Sequence, residues 1–498
     1  MSLARTSASA GRAVLLCAAF VLSATVAAAL VVRSPFGSPA APLLIGVACL
    51  VPVWMVLTRR VELSLAVLLV YLGLADGYLK LRFDVEAVAI GRDLLLFAIA
   101  AGMLVRFAVR GGSLTLPPLT AWVLLWLGIV AAQLLNPLNG SYLHSIASTR
   151  QHIAFVPLFF MAFVVLRSTA RLRGFTVLVL VVAAVNGVVG LYQAGLTPEQ
   201  MSSWGPGYSK LINGTGGGAP RLAVGPDGKP RVRPPGLGSD MGFAGILGAI
   251  AVPGGLALLL GAGRRRWALL YGLLVIAAAL GPITSQSRSA LVTTVVALIA
   301  FAGLALAAGQ GRRVVAGLLV VAVLALVVIS VVTNTQGDDT FYRYKTVAPG
   351  QVVTTTIESR SGTFENIPIY AQLYPFGGGI GTTGPAAGVI DPPAPRLYNA
   401  ESQFTFLLIE VGVLGTLAFL AFYGHLLWTA VSKLRRLSDE PAAQLLLAGI
   451  AAPLFAFVGN WIVGVNTVST PNAPWLWFAA GVLSWWLLAR PTVSSRNA

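Results

Sequence analysis

The sequence predicts an all-α, polytopic integral membrane protein with about 14 transmembrane helices and both termini in the cytoplasm. Three observations support this fold class: the apolar composition, the recurrence of apolar runs of membrane length, and the positions of the basic residues. The whole chain, residues 1–498, is therefore predicted to form a single transmembrane domain. Two long segments between the apolar runs are predicted to lie outside the membrane.

The composition is far from that of a soluble protein. Hydrophobic residues make up 56% of the 498 residues, charged residues make up only 10%, and the mean hydropathy is +0.81. Soluble domains contain about 25% charged residues, so a chain this apolar is expected in a bilayer. The two cysteines, Cys17 and Cys49, lie in predicted spans, where a thiol usually packs, and no spacing resembles a metal-ligand set. We therefore predict no cofactor and no metal.

Apolar runs of membrane length recur along the whole chain. A helix needs roughly 17 to 25 apolar residues to cross about 30 Å of hydrocarbon. The predicted spans are residues 12–32, 40–58, 61–79, 90–107, 117–135, 152–168, 174–195, 241–261, 267–284, 290–309, 313–333, 402–430, 441–463 and 473–490.

The basic residues support this topology because Lys and Arg in short loops collect on the cytoplasmic side. With the N-terminus inside, more than half of the 34 Lys and Arg residues fall on cytoplasmic segments, among them Arg264 to Arg266. The net charge of +17 is then largely an inner belt beside the anionic lipid bilayer. This belt needs no nucleic-acid partner, so we predict no nucleic-acid binding.

Function is expected on the outer side, because most of the 17 acidic residues fall on outer segments. Residues 196–240 form a Gly- and Pro-rich outer loop that predicts a flap. Residues 334–401 form a large outer loop that predicts a small cap, in which "TFENIPIYAQLYPF" favours short helices near the interface. Loops longer than about 15 residues are uncommon unless they are functional or disordered.

Two arginines on the outer side are candidates for binding an anion. Arg288, in "TSQSRSALVTT", lies in a short hinge between the ninth and tenth predicted spans, where an arginine favours an anionic partner. A snorkelling interfacial arginine explains this position equally well. Arg360, in "ESRSGTFEN", lies in the large outer loop, where a solvated charge is the simpler interpretation.

The stretch "YNAESQFTFLLIEVGVLG" runs from a polar mouth into an apolar helix. Asn399 has the residue type of an N-cap, which would put Glu401 in the first helical turn, where the helix dipole favours an acidic residue. Two glycines three residues apart, Gly412 and Gly415, favour close helix packing. Glu401 is therefore either a capping residue or a functional group at the membrane surface.

Three ordered segments, "SRSALVTTVVAL", "SRSGTFENIPIYAQLYPFGGGIG" and "AESQFTFLLIEVGVLG", resemble the O-antigen ligase and Wzy-type O-antigen polymerase superfamily. The resemblance covers residues 235–430. It implies a metal-independent membrane glycosyltransferase in the bacterial cytoplasmic (inner) membrane, with its active site facing the periplasm or exterior. Such an enzyme takes a polyprenyl-diphosphate-linked oligosaccharide as donor and a glycan or lipid-linked acceptor.

The resemblance also assigns roles to residues of this chain. By position, Arg288 and Arg360 correspond to the arginines that bind the donor diphosphate. The ligase branch carries a His, then Asn, Ser or Gln, nine residues and a glycine pair. Ser402 and the glycine pair fit this pattern, but Glu401 stands in the place of the His. The three histidines of the chain lie elsewhere, so a polymerase or related transferase is favoured over a ligase: His144, His152 and His425.

Displacement of a diphosphate by an acceptor hydroxyl is chemistry that these residues could support. Two arginine forks stabilise the charge that develops on a leaving diphosphate without a metal. Glu401 would accept or orient the proton of the acceptor hydroxyl, and orientation is preferred because a carboxylate near arginines is a weak base. We expect Arg288, Arg360 and Glu401 to meet in one cavity at the outer leaflet. Other residues are grouped on the acceptor side: Tyr398, Asn399, Ser402, Gln403 and Arg233.

A flippase for lipid-linked oligosaccharides or another polytopic transporter is the alternative, because similar numbers of spans occur in those proteins. A transporter is expected to carry ionisable residues in mid-span. Here Glu410 is nearly alone in such a position, and the candidate charges collect at the outer mouth. The sequence therefore favours a glycosyltransferase and leaves the sugar repeat, the acceptor and the oligomeric state open.

Overall fold

The computed structural model describes residues 51–58, 60–84, 87–110, 116–139, 142–214, 220–225, 227–311, 317, 365–384, 402–462 and 464–491. The fold is mostly helical, at 76%, which confirms the helical class that the sequence predicts. Packing divides the chain into two compact units, and the assignment of the whole chain to a single transmembrane domain stays a prediction. The first unit comprises Met1–Thr115, Ser168–Thr294 and Arg312–Arg343, and the second comprises Leu116–Arg167, Val295–Gly311 and Tyr344–Ala498.

The described helices are, in chain order, α1 (51–57), α2 (Val61–Val70), α3 (Asp76–Phe83), α4 (Ala87–Arg110), α5 (Thr120–Gln133), α6 (Tyr142–Ile153), α7 (Pro157–Val165), α8 (Thr169–Ala194), α9 (Pro198–Ser202), α10 (Pro206–Asn213), α11 (Phe243–Leu260), α12 (Arg265–Thr284), α13 (Arg288–Ala307), α14 (365–373), α15 (Gln403–Lys433), α16 (Pro441–Asn460) and α17 (Asn472–Leu483). Two short strands, β1 (Leu222–Val224) and β2 (Pro230–Val232), form an antiparallel hairpin. Turns of π-helix, Tyr71–Ala75 and Ser484–Ala489, follow α2 and α17.

Within the described residues, eight helical stretches are long and apolar enough to cross a membrane. They are Val61–Phe83, His144–Val165, Thr169–Ala194, Phe243–Leu260, Arg265–Thr284, Arg288–Ala307, Gln403–Leu437 and Pro441–Asn460. Helix α5 is apolar but shorter, with 14 residues. Three predicted spans, 12–32, 40–58 and 313–333, lie wholly or mostly outside the described residues. The count of fourteen spans and the orientation of the chain stay predictions.

The first unit is built around three closely packed helices, α8, α11 and α12. Glycines allow their backbones to approach. A Cβ atom at Gly187 of α8 would lie 1.9 Å from the backbone oxygen of Ala277 in α12. A Cβ atom at Gly281 of α12 would lie 2.4 Å from the backbone oxygen of Ala244 in α11. Only glycine fits at these two contacts, so the sequence itself fixes how closely the three helices pack.

Residues 196–240, for which the sequence predicts a flap, contain regular structure. Helix α9 begins with a capping box formed by Thr197 and Gln200, and the β1–β2 hairpin follows α10. Tyr208 of α10 is fully buried in an apolar cluster with Met201, and this burial raises the pKa of the Tyr208 hydroxyl. The glycines and prolines therefore mark turns between short elements, and the action of this segment as a flap stays a prediction.

Two buried amides of α8 hold the end of this segment. The Asn186 Oδ1 atom accepts from the N–H of Leu237 at 2.9 Å, and its Nδ2 atom donates to the carbonyl of Gly73 at 2.8 Å. The Gln193 side chain exchanges two hydrogen bonds of 2.8 Å with the backbone of Gly236. These bonds tie the segment to the apolar helices of the first unit.

The second unit packs α7 against α17, and α15 against α5 and α16. The Trp486 indole donates to the carbonyl of Leu166 at 2.7 Å. The Tyr423 hydroxyl of α15 donates to the carbonyl of Leu454 in α16 at 2.6 Å. Helix α15 contains 31 residues and is interrupted by a non-helical residue. Helices α5, α6 and α15 hold the polar groups described below.

Gly187→Ala is expected to lower the thermal stability of the detergent-solubilised protein, because the new methyl group would meet the backbone of α12. Overpacking of this kind costs about 1–3 kcal/mol. Gly174→Ala in the same helix is the control, because, apart from its chain neighbours and its own helix backbone, its Cβ position has no atom of another described residue within 4 Å. Alanine is a better helix former than glycine by roughly 0.5–1 kcal/mol, so the control should be as stable as the parent or more so. Equal unfolding temperatures for the two variants would contradict the packing described here.

Candidate functional site

Six of the ten predicted site residues lie within the described part of the chain. Four lie outside the described residues, so their roles stay predictions: Arg360, Tyr398, Asn399 and Glu401. Two belong to the first unit, Arg233 and Arg288. Four belong to the second unit, Ser402, Gln403, Gly412 and Gly415. The expected meeting of Arg288, Arg360 and Glu401 in one cavity stays a prediction as well.

Arg288 is exposed and occupies the first position of helix α13. The residues before it, Ser285, Gln286 and Ser287, are buried, and Gln286 has a positive φ of 51°. The Ser287 hydroxyl accepts a hydrogen bond of 3.4 Å from the N–H of Ala290, which caps the helix. The buried turn thus brings an exposed guanidinium next to the positive end of a helix dipole.

Arg233 directly follows strand β2 and is half-buried. It precedes the turn at Gly236 that Gln193 holds. Arg233 therefore lies on a fixed segment of the first unit, and its assignment to the acceptor side stays a prediction.

The start of helix α15 differs from the predicted one. The helix begins at Gln403, and Ser402 is its N-cap, because the Ser402 hydroxyl accepts from the N–H of Thr405 at 3.2 Å. Asn399 is therefore not the N-cap, and Glu401 precedes the cap instead of lying in the first turn. The interpretation of Glu401 as a first-turn residue is wrong, because the serine hydroxyl already satisfies the helix end.

Gln403 has a fully buried side chain. Its Oε1 atom accepts from the N–H groups of Asn466 and Thr467 at 2.8 and 3.0 Å. Its Nε2 atom donates to the Thr467 hydroxyl at 2.7 Å. These three bonds fix the start of α15 to the segment between α16 and α17. They give Gln403 a structural role, and its assignment to the acceptor side stays a prediction.

Helix α15 is broken at Gly412, whose φ of 73° and ψ of −175° are not helical. A Cβ atom here would lie 2.5 Å from backbone atoms of Phe376 and Gly377, so only glycine fits. Gly415 follows the break and packs against Val411. The two glycines predicted to serve helix packing therefore differ in role: Gly412 interrupts the helix, and Gly415 packs closely.

A glycine-rich segment, here called the glycine loop (residues 375–383), supplies the hydrogen bonds that the break removes. The N–H of Gly378 donates to the carbonyl of Ile409 at 2.5 Å, and the N–H of Val413 donates to the carbonyl of Pro375 at 3.0 Å. Backbone N–H and C=O groups that are buried among packed apolar helices need such hydrogen-bond partners. The loop and the broken helix are therefore one structural feature.

Glu410 is completely buried beside this break. Its Oε1 atom accepts from the N–H groups of Gly381 and Thr383 at 3.0 and 3.2 Å. Its Oε2 atom accepts from Nε2 of Gln151 at 3.0 Å and lies 2.6 Å from Nε2 of His152. One carboxylate therefore joins the glycine loop to helix α6.

The contacts of Glu410 indicate which nitrogen of His152 carries hydrogen. The other three partners are donors, an arrangement that stabilises the carboxylate, so we assign the hydrogen to Nε2. The Nδ1 atom is buried and has no hydrogen-bond partner among the described residues. The imidazole stacks on Phe406 with 5.5 Å between ring centroids and lies 5.8 Å from the Trp126 ring. Two aromatic rings thus pack against the imidazole, and both members of the pair are buried.

Helices α5 and α6 hold the glycine loop with further side chains. Gln133 of α5 donates to the carbonyl of Phe376 at 2.6 Å. Asn136, three residues later, donates to the carbonyl of Gly377 at 2.9 Å. The Nε2 atom of His144 in α6 lies 3.0 Å from a third loop carbonyl, that of Gly381. The loop is therefore bonded to three helices.

A groove of about 630 Å³ lies between α5, the glycine loop and α15. Its walls are mainly apolar, and Gln133 and Asn136 are among its polar residues. Phe376 on the loop and Leu414 on α15 are 76% and 68% exposed. Apolar walls beside membrane-type helices are suited to a hydrocarbon chain.

Sequence reasoning missed the pair of Glu410 and His152. Two signals pointed toward it. Glu410 is a nearly lone carboxylate in a predicted span, and His144 and His152 are eight residues apart, on one face of a helix. No local spacing reveals a contact between residues 258 positions apart.

Among the described residues, no group of three or more His, Cys, Asp or Glu side chains is arranged to hold a metal ion. Comparisons with protein-family models, curated proteins and solved structures found no match.

Gln403→Met is expected to destabilise the protein, because it keeps the side-chain volume but leaves two buried N–H groups and a hydroxyl without their partner. One unsatisfied buried group costs about 1–3 kcal/mol. The matched control is Gln372→Met, at an exposed position in α14. Thermal unfolding of both purified variants measures the difference. An unchanged unfolding temperature for Gln403→Met would show that these bonds do not hold the start of α15.

Proposed function

We propose that the protein is a membrane glycosyltransferase, a polysaccharide polymerase or ligase. It transfers glycan from a polyprenyl-diphosphate-linked donor to an acceptor hydroxyl on the outer face of the bacterial cytoplasmic membrane. The resemblance of three sequence segments to the O-antigen ligase and polymerase superfamily supports this proposal. The eight apolar helices of membrane length are compatible with it.

The observation that carries the proposal is the contact between two of those three segments. The second segment ends in the glycine loop, and the third contains the first part of α15. Gly381 of the loop and Glu410 of the helix are 29 positions apart in sequence and share a hydrogen bond. The bond between Gly378 and Ile409 joins the same segments. Segments that contribute to one site must come together, and these two do.

Arg288 is the proposed ligand of the donor diphosphate, with Arg360 as the second. A guanidinium presents a planar fork that binds phosphate oxygens through two hydrogen bonds. The exposed Arg288 also stands at the N-terminus of α13, where the helix dipole favours an anion. The first segment of the resemblance thus contains a group of the right charge and geometry.

The proposed reaction is a single displacement. The oxygen of the acceptor hydroxyl attacks the anomeric carbon of the donor sugar, and the bond from that carbon to the diphosphate oxygen breaks. The configuration inverts, the diphosphate leaves with the bonding electron pair, and the arginines stabilise its charge. The hydroxyl proton passes to Glu401 or to water, with Glu401 orienting the acceptor.

A lipid-linked oligosaccharide flippase or another transporter is the second candidate, and the broken helix favours it. Transporters use interrupted helices and intramembrane acid and histidine pairs along their pathways. The break at Gly412 and the buried pair of Glu410 and His152 are such features. This candidate predicts movement of the lipid-linked glycan across the bilayer without a new glycosidic bond.

Reconstitution separates the two candidates. The purified protein in proteoliposomes is supplied with a polyprenyl-diphosphate oligosaccharide, and two quantities are followed: the length of the glycan and the fraction of donor exposed on each leaflet. Longer or transferred glycan supports the glycosyltransferase. Redistribution of an unchanged donor supports the transporter and refutes the proposed function.

Arg288→Lys is expected to reduce transfer despite the retained charge, because lysine cannot form the bidentate fork. Loss of one charge-assisted hydrogen bond of about 1.5–3 kcal/mol corresponds to a roughly ten- to hundredfold lower rate. Arg360→Lys should behave in the same way. The matched control is Arg265→Lys, because Arg265 is likewise exposed at the first position of a helix, α12. If Arg288→Lys transfers glycan as fast as the parent at equal membrane expression, Arg288 is an ordinary surface charge that does not bind the diphosphate.

Glu401→Gln separates orientation of the acceptor from a surface role. If Glu401 orients or deprotonates the hydroxyl, transfer should fall about a hundredfold or more. Donor affinity should persist, because the arginines bind the diphosphate. The control is Glu365→Gln, at an exposed position of α14. Transfer rate and donor affinity are measured together, and a rate within a few-fold of the parent would remove Glu401 from the mechanism.

A further inference from the structure

We propose that Glu410 is a positioning residue that clamps the glycine loop to the broken helix, and that this clamp sets the rate of the reaction proposed above. This inference rests on the proposed function for its effect on rate. The clamp itself rests on hydrogen bonds among described residues of the second unit.

Glu410 uses its two carboxylate oxygens in different directions. Oε1 accepts from the N–H groups of Gly381 and Thr383 in the glycine loop. Oε2 accepts from Gln151 and His152 in α6. A side chain that only filled space in α15 would need neither set of donors, and an apolar residue would fill that space at lower desolvation cost.

The clamp fixes the residues that precede the segment carrying Glu401. The glycine loop is the described end of the large outer loop, and residues 385–401 connect it to the N-cap of α15. Thr383 is bonded to Glu410, and Ser402 lies eight residues earlier than Glu410 in the chain. Eight helical residues rise about 12 Å, so Glu410, which holds Thr383, lies about 12 Å along α15 from the N-cap. The hydrogen bonds of Glu410 therefore hold the loop residues from which the segment carrying Glu401 continues.

Glutamine at position 410 distinguishes a hydrogen-bonding role from proton transfer. Glutamine at position 410 retains one acceptor oxygen, which can receive both loop N–H groups. Its amide would then need acceptors in α6. His152 can offer Nε2 by moving its hydrogen to Nδ1, and Gln151 can turn its amide, whose Oε1 has no partner among the described residues. A clamp therefore tolerates glutamine, whereas a group that must carry a proton does not.

Cysteine labelling tests the clamp without relying on activity. In a chain with Cys17→Ala and Cys49→Ala, Ile380→Cys places a thiol at a loop position that is 1% exposed. A membrane-impermeant maleimide should label it slowly in the parent and at least about tenfold faster with Glu410→Leu, because the loop opens locally. Glu410→Gln should keep labelling near the parent rate. Thr382→Cys, at an exposed position of the same loop, is the control that gives the labelling rate of an accessible thiol.

Transfer kinetics test the positioning role. Glu410→Leu should lower kcat about a hundredfold, the effect of misplacing a group in the reacting geometry, with the KM for the donor unchanged. Glu410→Gln should restore kcat to within a few-fold of the parent. In the Glu401→Gln background, Glu410→Leu should cause little further loss, because both changes act through the same residue. Glu62→Leu, in the partly exposed pair of Glu62 with Arg171, is the control.

Each remaining result overturns part of the proposal. Slow labelling of Ile380→Cys with Glu410→Leu excludes the clamp, and fast labelling with parent-like kcat excludes the positioning role. An inactive Glu410→Gln with a protected loop assigns proton chemistry to Glu410 and favours the transporter. If the parent transfers no glycan, the proposed function and the positioning role fail together, while labelling still decides the clamp.

If Glu410→Leu fails to fold, Gly381→Ala is the second variant, because it disturbs the loop through its contacts with α6. Gly381 has a φ of 89°, and a Cβ atom there would lie 2.4 Å from the Ser148 hydroxyl and 2.6 Å from Nε2 of His144. This change should displace the loop while leaving Glu410 in place. It should give the same fast labelling and low kcat, and a protected loop with parent-like kcat would again refute the proposal.

Discussion

The backbone of helix α15 cannot satisfy its own hydrogen bonds at Gly412, and much of the second unit follows from that constraint. In an apolar environment each unpaired N–H or C=O group costs several kcal/mol, so a broken helix survives only where other groups replace the lost bonds. The glycine loop does so at Ile409 and Val413. The loop in turn needs close approach to the helix, which explains why glycine occupies the points of contact.

A buried carboxylate is the second consequence of the same arrangement. Removing the Glu410 carboxylate from water costs several kcal/mol, and this cost is offset only where its lone pairs accept hydrogen bonds. Four donors from two elements meet this requirement. The loop brings two of these N–H groups to the helix, so the break and the buried charge stabilise each other.

Much of the fold was predictable because helix formation and membrane partition depend on local sequence. Runs such as Thr169–Ala194 are apolar enough to be recognised without any structure. The start of α15 was harder to predict, since Asn399 and Ser402 both have N-cap chemistry and only the geometry decides between them. The division into two units and the partnership of Glu410 with His152 depend on contacts between distant segments, which one sequence does not encode in any local pattern.

The helices of the second unit come from separate stretches of the chain, and this order matters during synthesis. His152 precedes Glu410 by 258 residues. At about 5–20 residues per second, the ribosome needs roughly 13 to 50 s to make the intervening chain. During that interval α6 exists without the glycine loop and without α15, so His144, Gln151 and His152 lack the groups they bond in the finished protein. The hydrogen bonds of these side chains are therefore completed late in synthesis, after α15 has been made.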